Sequence, residues 1–299
     1  MALMTSLLLA RKVLKEAALI ESKKVEDQSE AVIGRVDKTT QQYELYRQIA
    51  GYSPPEQTND GEEVKWDSQY AIYQLKLTPV IYTKGARFSK QMDFTNQYKE
   101  VTNVNPLWAR AFKKKRNHVA ANVDVLGFSA TTYGVNSEVL YTTSHDMGGT
   151  TFSNRPAVDI AFGVLGARQM LKEIRTQKDA RGEPMATVGK VLVKLPPALE
   201  ADGYAVIKSM SLPSQSNPGV TNEFFKNRLE FKVIDYYTSD TNWFARVTDE
   251  SEHGLVMLDQ MPYSIEKLAR TTNLMDPWVA SQSYQAGWYD AHGTWGSNA

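Results

Sequence analysis

The sequence contains no cysteine, which excludes disulfide frameworks, cysteine-based zinc sites and thiol nucleophiles together. It also has no net charge, because 34 Lys and Arg residues balance 34 Asp and Glu residues. A protein whose main task is to neutralise nucleic-acid phosphates carries a basic excess, so the charge balance argues against that class. What the 299 residues do contain is a 42% hydrophobic fraction, enough for one large domain or two smaller ones.

Long apolar runs are also lacking, and no stretch reaches the roughly 20 residues that span a bilayer. The N-terminal segment MALMTSLLLARKVLK places its positive charges, Arg11, Lys12 and Lys15, after its apolar run. A signal peptide has them before the run, so secretion is not expected, and neither is membrane insertion. The segment is predicted to be an amphipathic helix or an arm that packs on another surface.

Catalytic motifs are absent as well. The four histidines, His118, His145, His253 and His292, lie far apart, and none has the spacing of a metal-binding pair. No nucleophile elbow, phosphate-binding loop or calcium loop is present. The best local acid–base candidate is His145 beside Asp146, for which a plain loop is the favoured interpretation. The sequence therefore predicts no catalytic residue, no cofactor and no bound metal.

A two-stranded excursion is predicted after a linker rich in proline, glycine and acids at 51–63. Residues 71–78 alternate with the period of two that is typical of a strand, and a turn is predicted at 83–85. Because an isolated hairpin is marginal in water, its rings need cover from another surface. The resulting candidates for inter-subunit contact are Trp66, Tyr70, Tyr73, Tyr82, Arg87 and Phe88.

A long amphipathic helix is predicted over 104–126, with Trp108, Phe112, Val119, Val123 and Leu126 near one stripe. Its cationic run at 113–116 is interpreted as a solvated face, with an acid-binding or DNA-facing patch as the alternative.

The following region alternates helices and strands. A second helix is predicted from about 157 to 174, ended by Gly182, and then a buried strand at 190–195. A third helix is predicted to start at Pro196–Pro197, and a hairpin to span 229–247 with its turn at 239–242. This order indicates an α+β or α/β module.

Several segments carry a family resemblance. They are TTQQYELYRQIAGYSPPEQ from residue 39, the pattern QKD-x-x-G-x-P at 177–184 followed by an apolar strand and PPALE, SNPG at 216–219, WFARVTDESEHGLVMLDQMP from 243, and SYQAGWYDAHGTWGSN from 283. Over most of residues 39–299 the chain resembles the major capsid proteins of tailed phages with the Hong Kong 97-type fold, and most of all the major head proteins of Mu-like phages.

The resemblance implies an α+β chain in five parts. These are an N-terminal arm at 1–57, an extended β-hairpin loop at 58–92, a peripheral domain with a spine helix at 93–134, an axial domain at 135–250, and return strands of the peripheral domain with the C-terminal end at 251–299.

The resemblance also implies a structural protein without an active site. Copies would form hexamers and pentamers of an icosahedral shell, assembled in the bacterial host cytoplasm and found in the virion. The shell would enclose double-stranded DNA without sequence-specific binding, with portal and scaffolding proteins as partners and a decoration protein left open. The alternatives are an encapsulin-like nanocompartment shell and an unrecognised cytoplasmic enzyme.

Overall fold

The computed structural model describes residues 24–89, 98–129, 133–135, 138–185, 189–211, 221–269 and 275–299. The helices are α1 (Ser29–Ile33), α2 (Tyr98–Val125), α3 (Val164–Thr176), α4 (Glu200–Gly203) and α5 (Glu223–Arg228). A 3-10 turn at Pro197–Leu199 precedes α4, and a π-helical turn at Tyr204–Lys208 follows it.

The strands belong to four sheets. They are β1 (Arg35–Lys38), β2 (Glu44–Ile49), β3 (Ala71–Leu77), β4 (Val80–Ser89), β5 (His145–Asp146), β6 (Thr151–Phe152), β7 (Val191–Leu195), β8 (Leu229–Val233), β9 (Trp243–Val247), β10 (Leu255–Lys267), β11 (Met275–Trp288) and β12 (Thr294–Ser297). Helices and sheets are thus mixed along the chain, as the predicted α+β class requires.

The first sheet has the order β1-β10-β11-β4 and supports the long helix α2. The predicted stripe is confirmed for Trp108, Phe112, Val119 and Val123, which are buried, whereas Leu126 lies just beyond the end of α2 and is half-buried. Trp108 and Phe112 pack with Ala280 of β11 against the sheet. The 28 residues of α2 correspond to a rod of about 42 Å at 1.5 Å per residue.

The second sheet has the order β12-β9-β7-β8, so the predicted hairpin over 229–247 is wrong. Its two strands, β8 and β9, both exist but pair with β7, β8 in parallel and β9 antiparallel. The physical reason lies in β7, which was correctly predicted as a buried strand. Its apolar run VLVKL is typical of a central strand covered on both faces, and such a strand takes a neighbour on each side.

The predicted hairpin within the loop at 58–92 is also corrected. The alternation of β3 is confirmed by the buried side chains of Tyr73, Leu75 and Leu77. In the described residues, however, β3 pairs antiparallel with β2, and β4 pairs with β11 rather than with β3. The chain changes sheets at Pro79, which has no N–H to donate to a ladder. The predicted turn at 83–85 lies inside β4.

Helix α3 is shorter than predicted and starts at Val164 instead of near 157. It ends before Gln177, whose backbone is extended and whose side chain bonds to Thr294 O at 3.1 Å and Gly293 N at 2.8 Å. These tertiary bonds end the helix. Gly182, predicted as the stop, instead occupies the next turn with a φ of 85°.

A buried polar cluster joins α2 to the second sheet. The carboxylate of Asp124 accepts hydrogen bonds from Tyr141 at 2.6 Å and Tyr237 at 2.5 Å, and it pairs with Lys194 of β7 at 2.6 Å. Burial raises the pKa of both tyrosines and lowers the pKa of Lys194. Because Asp124 and Lys194 are completely buried, these contacts link α2 to the second sheet in the interior of the protein.

Candidate inter-subunit surface

The most unusual feature of the surface is the segment 51–70, called the extension below. Each of its twenty residues is exposed, and apart from one turn it has no regular secondary structure. It leaves β2 after Ile49 and returns into β3 at Ala71, and its base is closed by a bond from Ala50 N to Tyr70 O at 2.9 Å. β2 and β3 thus form a two-stranded ladder below the extension, whereas among the described residues the excursion predicted from strand 71–78 and a turn at 83–85 does not form.

Side chains hold the two legs of the extension together. Three nested pairs close it from base to tip, namely Ser53 with Asp67, Glu56 with Lys65, and Asn59 with Glu62. The tip is a turn in which Glu62 N donates to Asn59 O at 3.1 Å and Gly61 has a φ of 87°, a value that favours glycine. Ten residues per leg reach up to about 33 Å from the base.

The extension presents both apolar and acidic groups to solvent. Trp66 is 88% exposed, and Tyr52 and Val64 are each 63% exposed. Asp60 and Glu63 stand near the tip. A tryptophan is highly buried on average in folded proteins. An almost fully exposed one on a thin projection is therefore a candidate for contact with another molecule.

Of the six predicted contact residues, three are exposed, two are packed by the chain itself, and one has a side chain outside the described part. Trp66 and Tyr70 lie in the extension and are exposed, and Arg87 is exposed on β4. The backbone of Phe88 is part of β4, but its side chain lies outside the described part of the structure. For Trp66, Tyr70 and Arg87, contact with another subunit stays a prediction.

The other two rings are covered by the chain itself. Tyr73 is only 6% exposed, and its hydroxyl lies 3.5 Å from Glu138. Tyr82 stacks on Tyr284 of β11 with ring centroids 4.7 Å apart. Burial raises the pKa of Tyr82 above its ordinary value. Tyr73 therefore has little surface left for a neighbour, whereas Tyr82 is half-buried and its contact with another subunit stays a prediction.

Further exposed apolar side chains were missed by the sequence analysis. They lie on the edge strand β4 (Val80 and Ile81), around α3 (Val158 and Leu165), and near α4 and α5 (Tyr204, Met210 and Phe224). No sequence signal could have identified them, because periodicity shows which residues share a face and not which face stays uncovered.

The acid–base candidate His145 is an internal residue. Its Nδ1 lies 3.2 Å from Glu138, its Nε2 lies 3.1 Å from Leu140 O, and burial lowers its pKa. Asp146 instead accepts a bond from Gly148 N at 2.9 Å, as expected of a loop residue. The two side chains therefore serve different local contacts.

A cleft of about 430 Å³ lies beside this loop and is lined by Arg155, Glu173 and Lys178, among others. Arg155 pairs with Asp159 at 2.5 Å, and Glu173 accepts from Trp295 Nε1 at 2.6 Å. Both charges are therefore engaged in structural contacts. Across the described ranges, no group of three or more acidic or histidine side chains is placed to hold a metal ion. No helix in those ranges is long and apolar enough to cross a membrane.

Comparison with known proteins gives matches among solved structures alone. No family model matches the sequence, and no curated protein matches it. The virus-like particle from Pyrococcus furiosus matches with a TM-score of 0.55 and 9% identity, over 96% of this chain and 98% of that one. The mature capsid of bacteriophage PhiM1 matches with a TM-score of 0.54 and 11% identity, over 89% and 85%.

The procapsid of bacteriophage JBD30 matches with a TM-score of 0.50 and 13% identity, over 100% of this chain and 75% of that one. These likenesses define the class: the chain has the Hong Kong 97-type fold of tailed-phage major capsid proteins. The narrower resemblance to Mu-like head proteins stays a prediction.

Proposed function

We propose that the chain is a major capsid protein that assembles through hexamers and pentamers into the icosahedral shell of a double-stranded DNA phage. The observation that carries the proposal is the extension, which displays Trp66 at 88% exposure on a projection that the described part of its own chain does not cover. A shell subunit needs such surfaces, because its neighbours supply the cover.

Energetics favour a contact role for Trp66. Burying a tryptophan removes roughly 150–250 Å² from water, which corresponds to roughly 4–6 kcal/mol at about 25 cal/mol per Å², before ordering costs. Tryptophan is also enriched among the residues that dominate binding energy at interfaces. The other exposed apolar groups, on β4, α3 and the α4–α5 region, lie on separate elements. This distribution suits a subunit with several neighbours.

The domain division implied by the resemblance is part of the proposal. The resemblance implies an arm at 1–57, a peripheral domain combining 93–134 with 251–299, and an axial domain at 135–250. Because β2 pairs with β3, we place the extended loop on 44–77 in preference to 58–92, which shortens the proposed arm to 1–43.

The partners follow from the same proposal. The chain contacts copies of itself, encloses double-stranded DNA without reading its sequence, and works with portal and scaffolding proteins in the host cytoplasm and the virion. Its role is structural and not enzymatic. The zero net charge is compatible with a coat that does not condense the genome.

A nanocompartment shell is the second candidate. The virus-like particle from Pyrococcus furiosus matches over 98% of its own chain, so this chain aligns with nearly the whole of a protein from a particle that is not named as a phage capsid. The contents of purified particles separate the two functions: a phage head contains DNA, whereas an encapsulin-like shell holds a protein cargo.

The proposal is tested by shortening one side chain. Trp66→Ala is expected to weaken each subunit contact by about 2 kcal/mol or more, or roughly 30-fold, so shells fail to form at concentrations where the wild type assembles. Trp66→Phe retains a ring and serves as the matched control. Sedimentation velocity measures the assembled fraction, and thermal unfolding verifies that the subunit is folded. Normal assembly of Trp66→Ala would contradict the contact role.

A further inference from the structure

We propose that Arg181 is a positioning residue that fixes the direction of the extension and thereby controls assembly without contacting the neighbouring subunit. This inference rests on the proposed function. Arg181 lies in the QKDARGEP turn after α3, more than a hundred residues from the extension in sequence.

One guanidinium group bonds to both legs of the extension. Its Nε donates to Gly51 O at 3.3 Å on the outgoing leg. Its Nη2 donates to Asp67 Oδ1 at 2.9 Å and to Ser68 O at 3.0 Å on the returning leg. The group also lies over the ring of Tyr70, 5.3 Å from its centroid. Arg181 therefore clamps the base where the two legs leave the body.

Asp67, on the returning leg, forms a second connection to the outgoing leg. Its Oδ2 accepts from Ser53 N at 2.7 Å, while its Oδ1 receives Ser68 N at 2.8 Å as well as Arg181. The N–H of Ser53, with smaller contributions from Ser68 and Arg181, lowers the pKa of Asp67 to about 2. The carboxylate therefore remains ionised, and the pair with Arg181 persists over the whole neutral range.

The turn that carries Arg181 is fixed to the body of the protein. Asp179 Oδ1 accepts from the backbone N–H of Arg181 and of Glu183, both at 2.9 Å. The backbone of the turn is held from outside by Thr150, which donates to Asp179 O at 3.1 Å, and by His292, whose Nε2 lies 2.9 Å from Lys178 O. The guanidinium thus connects the extension to a rigid support.

The length of the extension amplifies small errors in its direction. A rotation of about 10° at the base displaces a tip up to about 33 Å away by up to about 6 Å, enough to move a contact side chain out of its site. Without Arg181, the base retains the β2–β3 ladder on one side and loses its lateral support. Surface ion pairs add little to folding stability, so the loss is expected in assembly and not in unfolding.

The experiment compares Arg181→Ala, Arg181→Lys and the control Arg175→Ala, which removes an exposed arginine from the end of α3. Trypsin cleavage after Lys65 reports on the extension, because Lys65 is its single basic residue. For Arg181→Ala we expect cleavage after Lys65 to be at least 5-fold faster, shell yield to fall at least 10-fold, and the melting temperature to remain within about 2 °C. Arg181→Lys keeps the charge but not the forked donors, so it should be intermediate. Arg175→Ala should behave as wild type.

Unchanged cleavage or unchanged assembly in Arg181→Ala would overturn the proposal. A drop in melting temperature in proportion to the loss of assembly would also overturn it, because the residue would then be merely structural. If the wild type forms no shells, the proposed function fails, and the cleavage rate after Lys65 still decides whether Arg181 holds the extension.

Discussion

The buried carboxylate of Asp124 is predicted to be among the most sensitive positions of the fold. It is paired with Lys194 and accepts two tyrosine hydroxyls where neither charge has access to water. Asp124→Asn leaves the ammonium of Lys194 buried with a neutral partner. Removing one member of such a buried pair costs about 3–5 kcal/mol, whereas replacing both members costs much less.

Urea unfolding of the unassembled subunit measures this cost. Asp124→Asn is expected to lower the free energy of unfolding by about 3–5 kcal/mol. The double variant Asp124→Asn/Lys194→Met should recover part of the loss, with a coupling energy of about 2 kcal/mol between the two sites. Asp240→Asn, at an exposed position, is the control. A cost below about 1 kcal/mol for Asp124→Asn, or strict additivity in the double variant, would refute the reasoning.

Two other predictions concern stability. Burial and the nearby cations Arg246 and Lys194 lower the pKa of His253 to about 3. Because the ordinary pKa is about 6.5, the unfolded chain protonates His253 more readily than the folded chain does. The contribution of the neutral side chain to folding stability should be fully present above about pH 6.5 and fall by up to about 1.4 kcal/mol per pH unit below it. His253→Gln should flatten this acid limb in unfolding curves; an unchanged slope contradicts the assignment. Gly254→Ala places a methyl group 2.2 Å from Asp290 N and should lower the free energy of unfolding, measured in urea, by about 1–3 kcal/mol. In the control Gly163→Ala the new methyl group meets nothing within 4 Å. Equal losses of stability in the two variants would contradict the packing argument.

Local structure was largely predictable from the sequence. The apolar stripe of α2 and the apolar run of β7 are long enough to show that one segment is a helix and the other a strand, and which of their side chains are buried. Strand partners were not predictable in the same way, because pairing depends on distant segments. The sequence neighbours β3 and β4 form ladders with β2 and β11 instead of with each other. The end of α3 depends on bonds from Gln177 to the C-terminal turn.

Only part of the candidate surface was predictable, because the cover of a side chain also depends on segments that are distant in the sequence. Trp66 and Tyr70 were identified as rings in a segment too thin to cover them, and they are exposed. Tyr73 and Tyr82 have the same chemistry, but their cover comes from residues such as Glu138 and Tyr284, which are remote in sequence. Arg181 carried no signal, because a charged residue in a turn is ordinarily solvated.

The central claim is that copies of this chain cover one another in a closed container. Electron microscopy of the wild-type chain, expressed alone and purified, tests it most directly. Closed polyhedral shells or sheets of hexamers are the predicted result. A uniform population of monomers or small oligomers, unchanged as the protein is concentrated, would contradict the account.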